Sequence, residues 1–111
     1  MTDKLVVLVT CPSAKEAERI ARRLVQARLA ACCNIVRSPV RSVYRWKDKI
    51  ESGREVLLVI KTSRRRFAEL QAAIKHLHSY EVPEIIALPI AAGSQGYLSW
   101  LADSVASRKK G

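Results

Sequence analysis

Tyr80, Glu81 and Glu84 stand directly before an apolar, strand-like run in the segment Tyr80-Glu81-Val82-Pro83-Glu84-Ile85-Ile86-Ala87-Leu88-Pro89. A phenol and two carboxylates at the mouth of a buried strand can donate, accept and carry charge. Each needs a partner or water once it goes below the surface. Pro83 fixes its own backbone and biases Val82 to an extended conformation. The segment therefore reads as a rigid entry that aims three polar side chains in set directions. The plainer alternative is a polar strand start with a solvated edge.

A second set of residues offers metal-ligand chemistry. Imidazole and thiolate suit copper and zinc, and the chain carries His76, His78, Cys11, Cys32 and Cys33. No C-x-x-C or H-E-x-x-H spacing is present, so no structural zinc motif is read. His76 and His78 diverge on a helix and share a face in an extended segment. Cys32 and Cys33 are neighbours in a predicted strand and point to opposite faces, so at most one joins a given site. Buried inert thiols and surface histidines are the alternative. Cys11, near a predicted helix start, is a candidate for a lowered thiol pKa, although a buried or capping role is the stronger reading. There is no Gly-rich phosphate loop and no G-x-S-x-G. The sequence does not read as an enzyme.

The elements that must position these groups follow from periodicity. Leu5–Val9 is a β-branched apolar run. Ser13-Ala14-Lys15-Glu16 is a capping box, with each side chain predicted to reach the other's backbone amide. Ala17, Ile20, Ala21, Leu24 and Val25 then form a helical core stripe. A second strand runs over 30–36, breaks near Ser38-Pro39 and resumes over 40–46. The polar connection Lys47-Asp48-Lys49 predicts a long hairpin returning through Lys61. Thr62 or Ser63 is expected to cap a second helix carrying Phe67, Leu70, Ile74 and Leu77 and ending between His76 and Ser79. A strand over 84–90 and a last helix from Ser94 or Gln95 complete the order, and the tail 107–111 reads as frayed. The result is a single α+β domain, 1–111, in the ferredoxin-like βαββαβ arrangement with a C-terminal helix. Helices cover one sheet face in this arrangement. Yet Leu5–Val9 and Val56–Ile60 are apolar at every position, as in strands buried on both sides. The open face predicts an oligomer.

Composition narrows the class. Hydrophobic residues make up 49% of 111 residues, which excludes a disordered chain, and no apolar run reaches membrane-span length. The Met1-Thr2-Asp3-Lys4 start lacks a signal-peptide layout. Three cysteines, two of them adjacent, fit reduced thiols in a cytoplasm. The net charge is +10, but Arg and Lys are scattered, and only Tyr44 and Trp46 interleave with them. That pattern reads as a solvated basic surface and not as a nucleic-acid footprint.

The ordered motifs resemble the CutA divalent-cation tolerance proteins. The matching pieces are Leu29-Ala30-Ala31-Cys32 with Asn34-Ile35, Ser42-Val43-Tyr44-Arg45-Trp46-Lys47-Asp48-Lys49-Ile50-Glu51, and Glu55-Val56-Leu57-Leu58-Val59-Ile60-Lys61-Thr62. His78-Ser79-Tyr80-Glu81-Val82-Pro83-Glu84-Ile85 and Tyr97-Leu98-Ser99-Trp100-Leu101 complete the set, which spans nearly the whole chain. The resemblance implies a homotrimer, a cytoplasmic location, a link to tolerance of copper and other divalent metals, and architectural similarity to PII signalling proteins. Three features depart from it: Ser79 where Pro is usual after His, Asp48 where Gly is common in the turn, and the high positive charge.

On that basis two kinds of site are expected. Divalent copper or zinc would use His78, on a chain segment expected to be exposed enough to admit an ion, with His76, Cys11 or Cys32 as partners. A small anionic metabolite would use an inter-subunit cleft made from Asn34, Tyr44, Trp46, Glu55, Lys61, Tyr80 and Glu81. The same cleft residues also fit an interfacial ion-pair network, and a structural scaffold remains a third reading. No obligatory cofactor and no membrane or nucleic-acid partner is expected.

Overall fold

The computed structural model describes residues 2–107. The elements are β1 (Lys4–Cys11), α1 (Ala14–Gln26), β2 (Cys32–Trp46), β3 (Lys49–Ser63), a 3-10 turn (Arg64–Arg66), α2 (Phe67–Leu77), β4 (Ile86–Pro89) and α3 (Gln95–Ser104). The four strands form one sheet in the order β2-β3-β1-β4, with every neighbouring pair antiparallel.

The strand pattern has period two. Leu5, Val7, Val9 and Cys11 of β1 are buried, as are Val56, Leu58 and Ile60 of β3. They pack under Ala17, Ile20, Ala21 and Leu24 of α1 and Leu70 and Ile74 of α2. The residues between them point the other way, to a face that α1 and α2 do not cover. Pairing places Val6 beside Leu88, and Leu8 beside Val59 and Ile86. Val6, Leu8, Leu57 and Val59 are half-buried there, while Val36, Ile86 and Leu88 are exposed. α3 packs at one end through Leu101 and Val105, against Ala31 and Ile90. Its terminal carbonyls are held by cations: Arg28 donates to Asp103 O and Ala106 O, and Arg66 to Val105 O. Such contacts satisfy groups a helix end leaves unpaired.

The hairpin extends well past the sheet. β1 pairs with Val56–Ser63 alone, so Val40–Trp46 and Lys49–Glu55 form a free two-stranded ribbon. A register shift between Val36 and Val40 brackets Pro39, which has no amide to give the ladder. Lys47 and Asp48 both take left-handed backbone, φ 50° and 65°. That is the geometry of a two-residue hairpin turn whose twist matches its strands. The departure from Gly therefore leaves the turn intact.

Several expectations need correction. Val25 is 42% exposed; it sits one position beyond Leu24 and rotates off the stripe. β2 begins at Cys32 and not at Ala30. Ala30 and Ala31 are buried as loop residues, and the Ala31 amide donates to Lys61 O. Neither Thr62 nor Ser63 caps α2. The strand continues through both, the Thr62 hydroxyl donates to Leu29 O at 2.6 Å, and the 3-10 turn intervenes. β4 is shorter than its apolar run. The capping box forms by half: Ser13 Oγ accepts from the Glu16 amide at 3.2 Å, but the Glu16 carboxylate is used elsewhere.

Two substitutions check this packing. Leu58→Ala removes a fully buried side chain and is expected to cost about 2–5 kcal/mol in urea unfolding. Val25→Ala should cost well under ~1 kcal/mol. Comparable losses from the two would mean that α1 presents a different face to the sheet.

Candidate functional site

The segment after α2 is pinned by a carboxylate from the first turn of α1. Glu16 Oε2 accepts from the Ser79 amide and from the Ser79 hydroxyl, each at 3.0 Å. A proline at this position would have no amide to offer, so the chain's departure from the usual residue creates this link. Arg19 adds a donor to Leu77 O at 3.0 Å.

His78 lies under that link, and its side chain is fully buried. Nε2 sits 2.8 Å from Thr10 O, and Nδ1 lies 3.1 Å from the Tyr80 amide. A carbonyl can only accept and an amide can only donate, so Nε2 carries the proton and Nδ1 is the acceptor. Both nitrogens are occupied in tying α2 and residue 80 to the end of β1. The expectation that this ring is open to an ion is overturned by its burial.

Tyr80 turns from the His78 ring, with centroids 4.7 Å apart, toward β3. Its hydroxyl donates to Glu55 Oε2 at 2.7 Å. Burial, together with the Glu55 carboxylate that accepts this proton, holds the phenol well above its ordinary pKa. The outer hairpin faces this segment across a cleft of about 780 Å³. Tyr44, Trp46, Glu55, Tyr80 and Glu81 line it, as expected, and so do Thr10, Arg41, Ser79 and Glu84. Hydrogen-bond donors, acceptors and ring faces meet in one concavity, which is the usual form of a small-molecule site.

Asn34 and Lys61 do not belong to it. Lys61 Nζ donates to Asn34 Oδ1 and lies 4.0 Å from Cys32 Sγ. This cluster is six residues along β3 from Glu55, roughly 20 Å away at strand spacing. Within one chain the expected inter-subunit cleft set thus lies at the two ends of the sheet.

The candidate metal ligands also separate. Cys11 is buried under the helices, where burial pushes its thiol up to about 12. The buried reading of Cys11 holds, and the alternative of a lowered value does not, because the residue has no access to solvent. Cys33 faces α1, and burial pushes it up to about 12 as well. Cys32 is on the opposite face, part-buried beside Lys61 and Tyr97 of α3, and His76 is exposed on α2. Among the described residues, no group of three or more His, Cys, Asp or Glu side chains is placed to hold a metal ion within one chain.

Comparison with known proteins places this geometry. Residues 5–104 match the family described as CutA1 divalent ion tolerance protein. The chain belongs to this family. It is 48% identical over 99 residues to the divalent-cation tolerance protein CutA of Thermus thermophilus, covering 89% of this chain and 95% of that one. The solved Thermus thermophilus structure superimposes with a TM-score of 0.90 at 47% identity, over 93% of this chain and 99% of the other. A protein from Archaeoglobus fulgidus, described as a periplasmic divalent cation tolerance protein, gives 0.89 at 41% identity, over 93% and 99%. The motif-level resemblance is thereby shown over most of the chain.

The cleft residues missed by the sequence came from long-range contacts. Glu16 and Ser79 are 63 positions apart, and Thr10 contributes a backbone carbonyl, which no motif records. Glu84 and Tyr80 were visible through the cost of placing polar groups beside a strand.

Two measurements test the site. Tyr80→Phe removes the one hydrogen bond of the Glu55 carboxylate among the described residues and should cost about 1–3 kcal/mol of stability, read by denaturant unfolding. In the native protein at pH 8, Cys11 and Cys33 should resist alkylation, read by peptide mass spectrometry. Their folded values lie above the ordinary thiol value of 9.0. The stability they lend is present in full below about pH 9 and is lost as pH rises toward about 12. Rapid modification of either at pH 8 would contradict their placement.

Proposed function

We propose that this chain acts in divalent-cation tolerance as a homotrimer of ferredoxin-like subunits joined through the uncovered sheet faces. The observation that carries this reading is that face itself. Val6, Leu8, Leu57 and Val59 alternate with the core, and Val36, Ile86 and Leu88 lie beside them without cover from the chain's own helices. Burying one such side chain is worth about 1.5–3 kcal/mol, so a face of this kind favours self-association. The strand order, with one helical crossover in each half, supports the ferredoxin-like description. Exposed Val43 and Ile50, on the ribbon face turned away from Tyr44 and Trp46, support a second contact between subunits.

Copper or zinc, in this reading, is held between subunits, because the described residues of one chain offer no ligand group of three. Cys32 is the thiol best placed for it, being part-exposed on the sheet face opposite α1 and α2. The role is binding and not catalysis. Among the described residues no helix is long and apolar enough to cross a membrane. The three free thiols favour a reducing compartment such as the cytoplasm. A second reading, a PII-like sensor with a ligand between subunits, is supported by the cleft at Glu55 and Tyr80.

The test separates assembly from folding. Val59→Asp puts a charge on the uncovered face and leaves the helix-side core alone. Sedimentation equilibrium is expected to show three subunits for the wild type and a folded monomer for the variant. A wild type that stays monomeric at micromolar concentration would sink the trimer. Titration calorimetry with copper and zinc should show weakened binding in Cys32→Ser and unchanged binding in His78→Ala.

A further inference from the structure

Among the described residues of one chain, the cleft carries a carboxylate with no cationic partner. Glu55 is 8% exposed and lines the cleft. Its one hydrogen-bond partner among the described residues is the neutral Tyr80 hydroxyl. No Lys, Arg or His among them forms an ion pair with it. A buried carboxylate in that position is costly unless a positive charge joins it. The omission is specific, because the chain as a whole carries a net charge of +10.

The surroundings say which kind of positive charge fits. Tyr44 and Trp46 present aromatic rings on the hairpin wall, and ring faces attract organic cations. Glu81 and Glu84 add negative charge on the opposite wall. Arg41 is the basic residue of the lining, and it is exposed. Three carboxylates against one guanidinium argue against an anionic ligand. A bare divalent ion is also poorly served, since the described carboxylates do not converge into a set of ligands. The volume, about 780 Å³, is that of a small-molecule site.

We propose that this cleft binds a small organic cation, an alkylammonium or alkylguanidinium, with its charge at Glu55 and its alkyl part against Tyr44 and Trp46. The inference rests on reading the cleft as a ligand site. It replaces the anionic metabolite with a cation and leaves the trimer untouched.

The experiment uses the full chain in its native assembly. n-Butylguanidinium and n-butyrate, short alkyl ions of opposite charge, are titrated by calorimetry and thermal shift. The cation should bind and raise the melting temperature, and butyrate should do neither. Glu55→Gln keeps the shape and an acceptor for Tyr80, and should weaken cation binding at least tenfold. Trp46→Leu, at a part-exposed ribbon position, should weaken it as well, which guards against a Glu55 variant that fails to fold. Circular dichroism and sedimentation confirm that each variant keeps its fold and assembly. Butyrate binding that depends on Trp46 would overturn the cation class while leaving the cleft a ligand site. Binding of neither ion would overturn both. Cation binding unchanged in Glu55→Gln would show that the charge sits elsewhere, and the proposal would fall.

Discussion

A sheet with helices on one side must leave its other side to water or to another molecule. Everything else in this subunit follows from how the chain handles that constraint. β1 and β3 sit at the centre of the sheet and are apolar on both faces. On one side the burial is complete, with Val7, Val9, Leu58 and Ile60 fully enclosed. On the other side side chains of the same type remain half-buried. Strand alternation normally puts polar residues on a solvated face. Here the sequence repeats the apolar choice, and Lys61 with Asn34 marks the point where polar residues resume. The free ribbon obeys the same logic. A two-stranded hairpin is marginal alone in water, yet this one carries Val43, Tyr44, Trp46 and Ile50 in exposed positions.

The cleft depends on a different economy, in which one side chain fixes the direction of many. Glu16 gives up the return half of its capping box and instead receives both donors of Ser79. That link places the His78 ring under Thr10 O. The ring in turn accepts from the Tyr80 amide, and the phenol reaches Glu55. Four elements are tied by this relay: α1, the end of α2, β1 and β3. The links through His78, Tyr80 and Glu55 are part-buried, where hydrogen bonds gain strength and unpaired groups are expensive, while the Glu16–Ser79 link is exposed. A histidine used this way is a structural strut. Its burial and its two satisfied nitrogens are what make it useful to the fold.

Legibility in the sequence tracked the range of the interactions. Period-two and period-3.6 patterns fixed element order, the long hairpin and the doubly apolar strands, because these signals are local. Helix stripes erred at Val25, where a tenth of a turn decides exposure and only the packed partner settles it. The caps of α2 were misplaced because the Thr62 hydroxyl had a tertiary acceptor in Leu29 O. The site was half legible. Tyr44, Trp46, Glu55, Tyr80 and Glu81 converge, since polar and aromatic residues at strand ends have few ways to be satisfied. Asn34 and Lys61 fail to join them because strand rise separates residues that sequence merely groups. The thiols could not be ranked before the sheet faces were known. Adjacent Cys32 and Cys33 differ in surroundings because strand neighbours point apart.

Charge gives the last step. The chain's basic character suggests a general affinity for anions, but the arginines are partly spoken for. Arg28 and Arg66 close the carbonyl end of α3, and Arg19 closes that of α2. These are the positions where a helix dipole favours cations. Others, such as Arg22 with Glu18, form exposed pairs worth at most about 1 kcal/mol. The excess positive charge is therefore distributed over surfaces and helix ends, where it determines solubility and non-specific attraction. The cleft inverts that balance. Among the described residues its buried carboxylate forms no ion pair, in a chain with many cations to spare, and its walls are mainly aromatic and acidic. Net charge and site charge thus point in opposite directions, and recognition follows the site, because the low dielectric of a buried position magnifies a local charge that distant surface charges scarcely reach.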